Sequence, residues 1–289
     1  MLKEWPLVAF TIAGQMAVGV FLLAAVPWLL TSRTFSNAEV SGPWIVIHAL
    51  VFGLLVVATS ISFFHLHHPL RARRVLTNLR TSWLSREIFF ELAFMFLVAL
   101  AGFPDWGRPA SGGLLIGILI AAVLSGILFL LSMSKLYMLP TMPAWNQAYT
   151  PFSFVLTTLN LGALTTALVM RVRVGQGPYS GALLELTFVL VVSEIVLALL
   201  ITPRHGAFGY RSGPSLRPPD ETPRLLHMGR LALLAAGLFF IGMERMAGEF
   251  GAASRRGASL SLVLAFVLVL ASEVAGRFLF YGLLTRPGR

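Results

Sequence analysis

Apolar stretches of about twenty residues recur from one end of this 289-residue chain to the other, and they restrict its fold more than any other feature. A hydrocarbon core about 30 Å thick is crossed by about 20 residues of α-helix, because no water is present there to satisfy an open backbone. Eight such spans are expected, at about 7–30, 44–64, 86–103, 113–137, 151–172, 182–201, 226–247 and 258–283. Charged residues are 12% of the chain, against about 25% in a soluble domain. The longest polar connection, about 202–224, is too short to build a core of its own. The expected fold class is therefore all-α and integral to the membrane, one polytopic domain over residues 1–289 with eight transmembrane helices.

An even number of spans puts both termini on one side. MLKEWPLVAF runs straight into a long span with no small-residue cleavage site, so a retained first helix is expected rather than a removed signal peptide. Pro6 opens the first span, and Pro151 opens the fifth after Trp145 and Tyr149. Proline suits the first turn of a helix, where its missing amide has no intrahelical acceptor. The echo points to two four-helix halves in the same orientation.

The net charge of +10 comes almost wholly from arginine, since Lys3 and Lys135 are the only lysines. These arginines sit in short loops between spans, which suits topology signals, lipid-headgroup contacts or an acidic docking partner, and no nucleic acid is expected. Call side one the face with the N-terminus and the connections 65–86, 135–150, 202–230 and 284–289. It carries fourteen lysines and arginines against seven on the other side, with Arg277 inside the eighth span. The bias favours side one as cytoplasmic. There is no cysteine, so the protein holds neither a cysteine-ligated iron–sulfur cluster nor a disulfide.

Polar chemistry concentrates in one stretch, Ser60–Glu91, which joins the second and third spans. It holds His65, His67 and His68, then Arg71, Arg73, Arg74, Arg80 and Arg86, with Glu87 and Glu91 just inside the next apolar run. A quinone headgroup has two carbonyl oxygens that need donors, and its redox cycle moves two protons. Imidazole donates, accepts and shuttles near neutral pH. A carboxylate such as Glu87 can pass a proton onward, and Arg71 can bias the site electrostatically. Haem is the competing idea, because His65 and His227 share a side. It is disfavoured: axial ligation needs imidazoles facing each other at matching depth, and His48 is about 25 Å from His65 by helical rise.

Three further ionisable groups lie within spans, where charge is costly. Glu273 and Arg277 stand one turn apart on the last span and read first as an intrahelical ion pair. Glu194 lies in the middle of the sixth span, either hydrogen-bonded in the bundle or part of a proton relay.

Four stretches, EWPLVAFTIAGQ, HLHHPLRA with NLRTSWLSREI, PAWNQAYTPFSFVLTTLNLG and EVAGRFLFYGL, occur in that order over nearly the whole length. Together they resemble the membrane-anchor subunit of the DMSO reductase type, the DmsC-like family, which includes the anchor of the related membrane-bound sulfite dehydrogenase. The resemblance implies an eight-helix anchor without haem or an iron–sulfur cluster of its own, in a bacterial or archaeal cytoplasmic membrane. Its expected partners are a ferredoxin-like subunit with 4Fe–4S clusters and a catalytic subunit with a molybdenum bis(molybdopterin guanine dinucleotide) centre. Its own reaction would be oxidation of a quinol or reduction of a quinone, menaquinone or ubiquinone.

Carried over position by position, the family's motif histidine falls on His65, the arginine after it on Arg71, and the loop-to-helix glutamate on Glu87. The resemblance thus implies His65 and Glu87 as catalytic groups, with Arg71 and the first-span Gln15 completing the quinone site. The sequence departs from the pattern at His67 and His68, where small residues are usual. It departs again at Leu284, where a histidine is usual, so no site is placed there.

The family contains exported reductases, whose anchors oxidise menaquinol, and cytoplasm-facing sulfite-oxidising enzymes, whose anchors reduce quinone. The charge bias leans toward the second. A secondary transporter is the alternative from another class, suggested by Glu194 and Glu273 inside spans. Against it, no span looks broken in its middle and the polar cluster lies at a boundary. An anchor of the polysulfide reductase type is a third reading, similar in role but with different motifs.

Overall fold

The computed structural model describes residues 5–31, 37–65, 78–102, 112–140, 145–175, 177–207, 222–249 and 260–282. Apart from short turns, the described residues are helical. In order along the sequence the helices are α1 (Trp5–Thr31), α2 (Asn37–His65), α3 (Trp83–Ala101), α4 (Gly112–Tyr137), α5 (Tyr149–Arg173), α6 (Pro178–Ala207), α7 (Thr222–Glu249) and α8 (Leu260–Gly282). Each expected span lies on one of them. Several helices run past the span: α2 begins at Asn37, whereas its apolar part starts at Pro43.

Seven of the eight are long and apolar enough to cross a membrane. The exception is α3, whose 19 residues include Arg86, Glu87 and Glu91. Its buried positions Glu87, Glu91, Phe94, Val98 and Ala101 fall at helical spacing, so the carboxyls share the face that the apolar side chains turn to the bundle.

Two helices form the centre. Of the apolar windows of α1 and α5, 72% and 67% are buried, against 22–39% in the other five membrane-length helices, whose large side chains face outward. α1 packs on α2, α4, α5 and α8, and α5 on α1, α2, α4, α6 and α8. The remaining neighbours are α2 with α3, α3 with α4, α6 with α7, and α7 with α8.

The close approach of α1 and α5 depends on glycine. A Cβ at Gly19 would lie 1.9 Å from the carbonyl oxygen of Thr158, and one at Gly162 would lie 2.4 Å from the backbone of Gly19. Where small residues let backbones meet, dispersion replaces the hydrophobic effect that lipid cannot supply. A second adjustment serves Pro27, inside α1. Its ring removes the amide that would bond the carbonyl of Leu23, and the Tyr179 hydroxyl from α6 donates to that carbonyl instead.

Candidate functional site

The entry to α3 is built by the segment NLRTSWLSREI. The amides of Thr81 and Ser82 donate to the carbonyl of Asn78, and the Thr81 hydroxyl donates to the Asn78 side chain, closing a tight turn. Ser82 then caps the helix, its hydroxyl accepting from the amide of Ser85 at 3.3 Å. Arg86 folds back over the turn. Its Nε and Nη2 donate to the carbonyls of Leu79 (2.8 Å) and Arg80 (2.7 Å), and its guanidinium lies over the Trp83 ring. Arg86 thus serves the turn and leaves Glu87 free.

Glu87 lies about 6 Å along the axis from the start of α3. It is 2% exposed, and its Oε1 has no hydrogen-bond partner among the described residues. One turn further in, Glu91 is equally buried and accepts from Thr59 of α2 at 2.7 Å. That bond seats the last turns of α2 against the first turns of α3. His65 closes α2, six residues beyond Thr59, so its backbone reaches the same end of the bundle as Glu87. The His65 side chain, and Arg71, lie outside the described residues.

Two more of the stretches singled out above meet at this end. The Trp145 indole donates to the carbonyl of Phe280 at 2.9 Å and stacks on its ring at 5.2 Å, tying the α4–α5 connection to the end of α8. Thr150 holds Trp145 from below, donating to its carbonyl at 2.6 Å. Tyr137, at the end of α4, packs edge-on to Trp145, Phe280 and Tyr281. Glu87 is near enough for its charge to act on both Tyr137 and Tyr281. The Tyr281 hydroxyl is buried near those of Tyr137 and Thr11, without a well-aligned hydrogen bond among the described residues.

Below this aromatic cluster the polar groups continue inward. Arg277 does not form the expected ion pair with Glu273, since the two are not within salt-bridge distance. Each is held instead by neighbouring helices. The Arg277 Nη2 donates to Gln15 Oε1 of α1 (2.9 Å) and Thr157 Oγ1 of α5 (3.3 Å), with its guanidinium 3.7 Å over the Phe154 ring. Glu273 Oε2 accepts from the same Thr157 hydroxyl at 2.8 Å, and its Oε1 has no partner. The reason is crowding: Arg277 is only 3% exposed, so every donor must be met from inside the bundle, and one carboxylate cannot do that.

Glu194 lies in a network drawn from three helices. Asn160 of α5 donates to its Oε2 at 2.7 Å, and Arg230 of α7 forms an ion pair with its Oε1. Glu194 also lies against Glu273.

Among the predicted site residues, Glu87 lies toward the end of the bundle at which α2 ends in His65. Gln15 does not join them: its amide oxygen holds Arg277, and its nitrogen faces the Met133 sulfur at 3.7 Å. His48 is stacked on Trp44 and accepts or donates at that residue's carbonyl, 2.9 Å away. Sequence reasoning missed Tyr137, Trp145, Thr157, Asn160, Arg230 and Tyr281. One signal was readable, because Glu273, Arg277 and Tyr281 stand four apart and therefore share a face of α8.

A bundle of membrane-length helices, with titratable and aromatic groups gathered near the start of α3 and the ends of α4 and α8, defines a multi-pass membrane protein. The protein belongs to the DMSO reductase anchor subunit family (DmsC), whose model matches residues 1–283. It is similar to YnfH, an anaerobic dimethyl sulfoxide reductase chain of Escherichia coli, with 28% identity over 97% of this sequence and 94% of the relative. A chain of the anaerobic dimethyl sulfoxide reductase of Haemophilus influenzae is 31% identical over 98% of this sequence and 95% of its own length. A subunit of the sulfite dehydrogenase of Allochromatium vinosum is 33% identical over 34% of this sequence and 30% of its own. No solved structure matches. The protein is an anchor subunit of the DMSO reductase type.

Proposed function

We propose that this anchor exchanges electrons between a membrane quinone and a partner iron–sulfur subunit, at a boundary site formed by His65, Arg71 and Glu87. The observation that carries the reading is Glu87, buried in the first turns of α3 with one oxygen unpartnered, at the end of the bundle where α2 delivers His65. A buried carboxyl oxygen without a donor is costly unless a proton or a ligand reaches it. A quinol hydroxyl supplies both. His65 donates to or accepts from the second oxygen of the headgroup, and Arg71 biases the site toward the anionic forms that electron transfer creates. Gln15 belongs to the set from deeper in the bundle, acting through the guanidinium it holds.

The partners in this reading are a ferredoxin-like 4Fe–4S subunit and a molybdopterin catalytic subunit, which select the terminal substrate and carry the electrons onward. The setting is the cytoplasmic membrane of a bacterium or archaeon. We count α3 as the eighth span, its three ionisable residues being turned inward. The helix neighbours support two four-helix halves, since α1 to α4 pack in a ring repeated by α5 to α8 and the two rings join through α1 and α5.

The His65→Ala variant of the assembled complex should lose quinone turnover, measured against dye-driven activity of the catalytic subunit. Glu87→Gln should slow the proton-coupled step, about 10²-fold or more if Glu87 is the general acid–base group. Unchanged turnover in both variants would remove these residues from the mechanism.

The excess of arginine and lysine on side one favours a cytoplasm-facing complex that reduces quinone, as in sulfite oxidation. A second reading, an exported reductase that oxidises menaquinol, is favoured by the relatives matched over nearly their full length, all of them parts of dimethyl sulfoxide reductases. Protease accessibility of the catalytic subunit in sealed vesicles of known orientation separates them. Nothing in the boundary cluster or the family favours a transporter.

A further inference from the structure

A quinone cycle moves two protons, yet Glu87 offers one free oxygen. The remaining polar groups of the bundle are not scattered. Glu273, Arg277 and Tyr281 form one face of α8 that runs about 12 Å inward from the aromatic boundary cluster. Thr157 bonds both Glu273 and Arg277, and Glu273 lies against Glu194, which Arg230 and Asn160 hold. Nine buried side-chain polar atoms lack a partner among the described residues, and five belong to this column or its mouth: Glu87 Oε1, Tyr281 Oη, Glu273 Oε1, Asn160 Oδ1 and Arg230 Nε. Natively buried polar atoms are nearly always satisfied, so each of these atoms is placed to make a further hydrogen bond with a proton carrier or a water.

We propose that the second proton of the quinone cycle travels along this column, from the boundary through the hydroxyls of Tyr137 and Tyr281 to the carboxyl pair of Glu273 and Glu194. The proposal rests on the quinone reading of the Glu87 site. In the oxidising direction both O–H bonds of the quinol break and two carbonyls form. The two electrons leave singly to the iron–sulfur carrier of the partner subunit. One proton forms an O–H bond on Glu87. The other is accepted by a phenol as that phenol gives up its own, and it ends as an O–H bond between the two facing carboxyls. Reduction of a quinone reverses every step. One water, or the headgroup itself, spans the interval between Glu87 and the phenols.

The groups that face the carboxyl pair come from four helices. Arg230 (α7) and Asn160 (α5) hold Glu194, while Thr157 (α5) holds Glu273 and links it to Arg277 of its own helix. Gln15 (α1) keeps that guanidinium in place. Past Glu194 the interior of α5–α8 holds Leu164, Val191, Leu234, Ile241 and Val269 together with Thr165, Thr166, Thr187 and the Arg171–Glu244 ion pair. The column accepts the second proton and hands it back to the boundary within the same turnover.

The test uses the assembled complex with a soluble quinol analogue and the variants Tyr281→Phe and Glu273→Gln. Rapid mixing in weak buffer with a pH-indicating dye reads proton release in a single turnover. Wild type is expected to release both protons at the rate of quinol oxidation, and each variant one promptly and one late. In steady state kcat should fall at least about tenfold with little change in KM, because the column touches a proton and not the ring. Glu273→Asp should recover part of the loss, and the pH profile of kcat should shift in Glu273→Gln. Wild-type kcat, pH profile and prompt proton release in Tyr281→Phe, which keeps the ring packing, would overturn the relay even if Glu273→Gln failed to assemble. A wild-type complex inert toward quinol would instead overturn the quinone reading.

Discussion

Arg277 shows how a buried side chain selects its partners by the number of bonds it must make. It lies four residues from Glu273, a spacing that suggests an ion pair, yet it donates to Gln15 and Thr157 and covers the Phe154 ring. A guanidinium taken out of water needs several acceptors in its own plane, and these come from neighbouring helices rather than from one residue of its own. The consequence is measurable. A double-mutant cycle between Gln15→Leu and Arg277→Met should give a coupling of roughly 0.5–3 kcal/mol in thermal unfolding, the range for residues sharing one network. Additive losses would mean that the Gln15 bond contributes nothing to stability. The spacing in the sequence could be read, but the competing acceptors on α5 and α1 could not, because they are 120 and 262 residues away.

At the scale of helices, the contact between α1 and α5 organises the bundle. Gly19 and Gly162 face each other so closely that neither position has room for a methyl group. Gly162→Val should therefore push the two central helices apart, costing roughly 1–3 kcal/mol or more as overpacking does, and lower the midpoint of detergent unfolding. A variant as stable as wild type would show that the crossing is not needed. α3 makes a different point at the same scale. Its three ionisable residues, Arg86, Glu87 and Glu91, set it apart from the other seven helices, and the two carboxyls share the spacing of Phe94 and Val98 on the buried face. Charge rather than hydropathy distinguishes α3, and helical spacing explains why it still packs inward.

For the whole molecule, buried polar groups lie at both ends, the cluster around Glu87 and Tyr281 at one and the Arg171–Glu244 ion pair at the other, while the outward faces of the membrane-length helices are largely apolar. Gentle extraction of the tagged protein from its native membrane should bring out a ferredoxin-like protein and a molybdopterin protein, with molybdenum or tungsten and iron in the preparation. A protein recovered alone, intact and metal-free would contradict the proposed assembly. A twin-arginine leader on the catalytic partner would mark the exported reductase, and its absence the cytoplasm-facing enzyme.

Membrane residence and the number of helices were legible in the sequence, because a hydrocarbon core imposes one length and one composition on whatever crosses it. That Glu87 and Glu91 sit just inside an apolar run was legible too, and their burial on the inner face of α3 is what the structure adds. The partners of Gln15, Glu194 and Arg277 and the meeting of Tyr137 with Tyr281 were decided only by the tertiary structure. Those contacts join residues on different helices, and which faces meet depends on small features such as Gly19 and Gly162, which leave almost no trace in composition or periodicity.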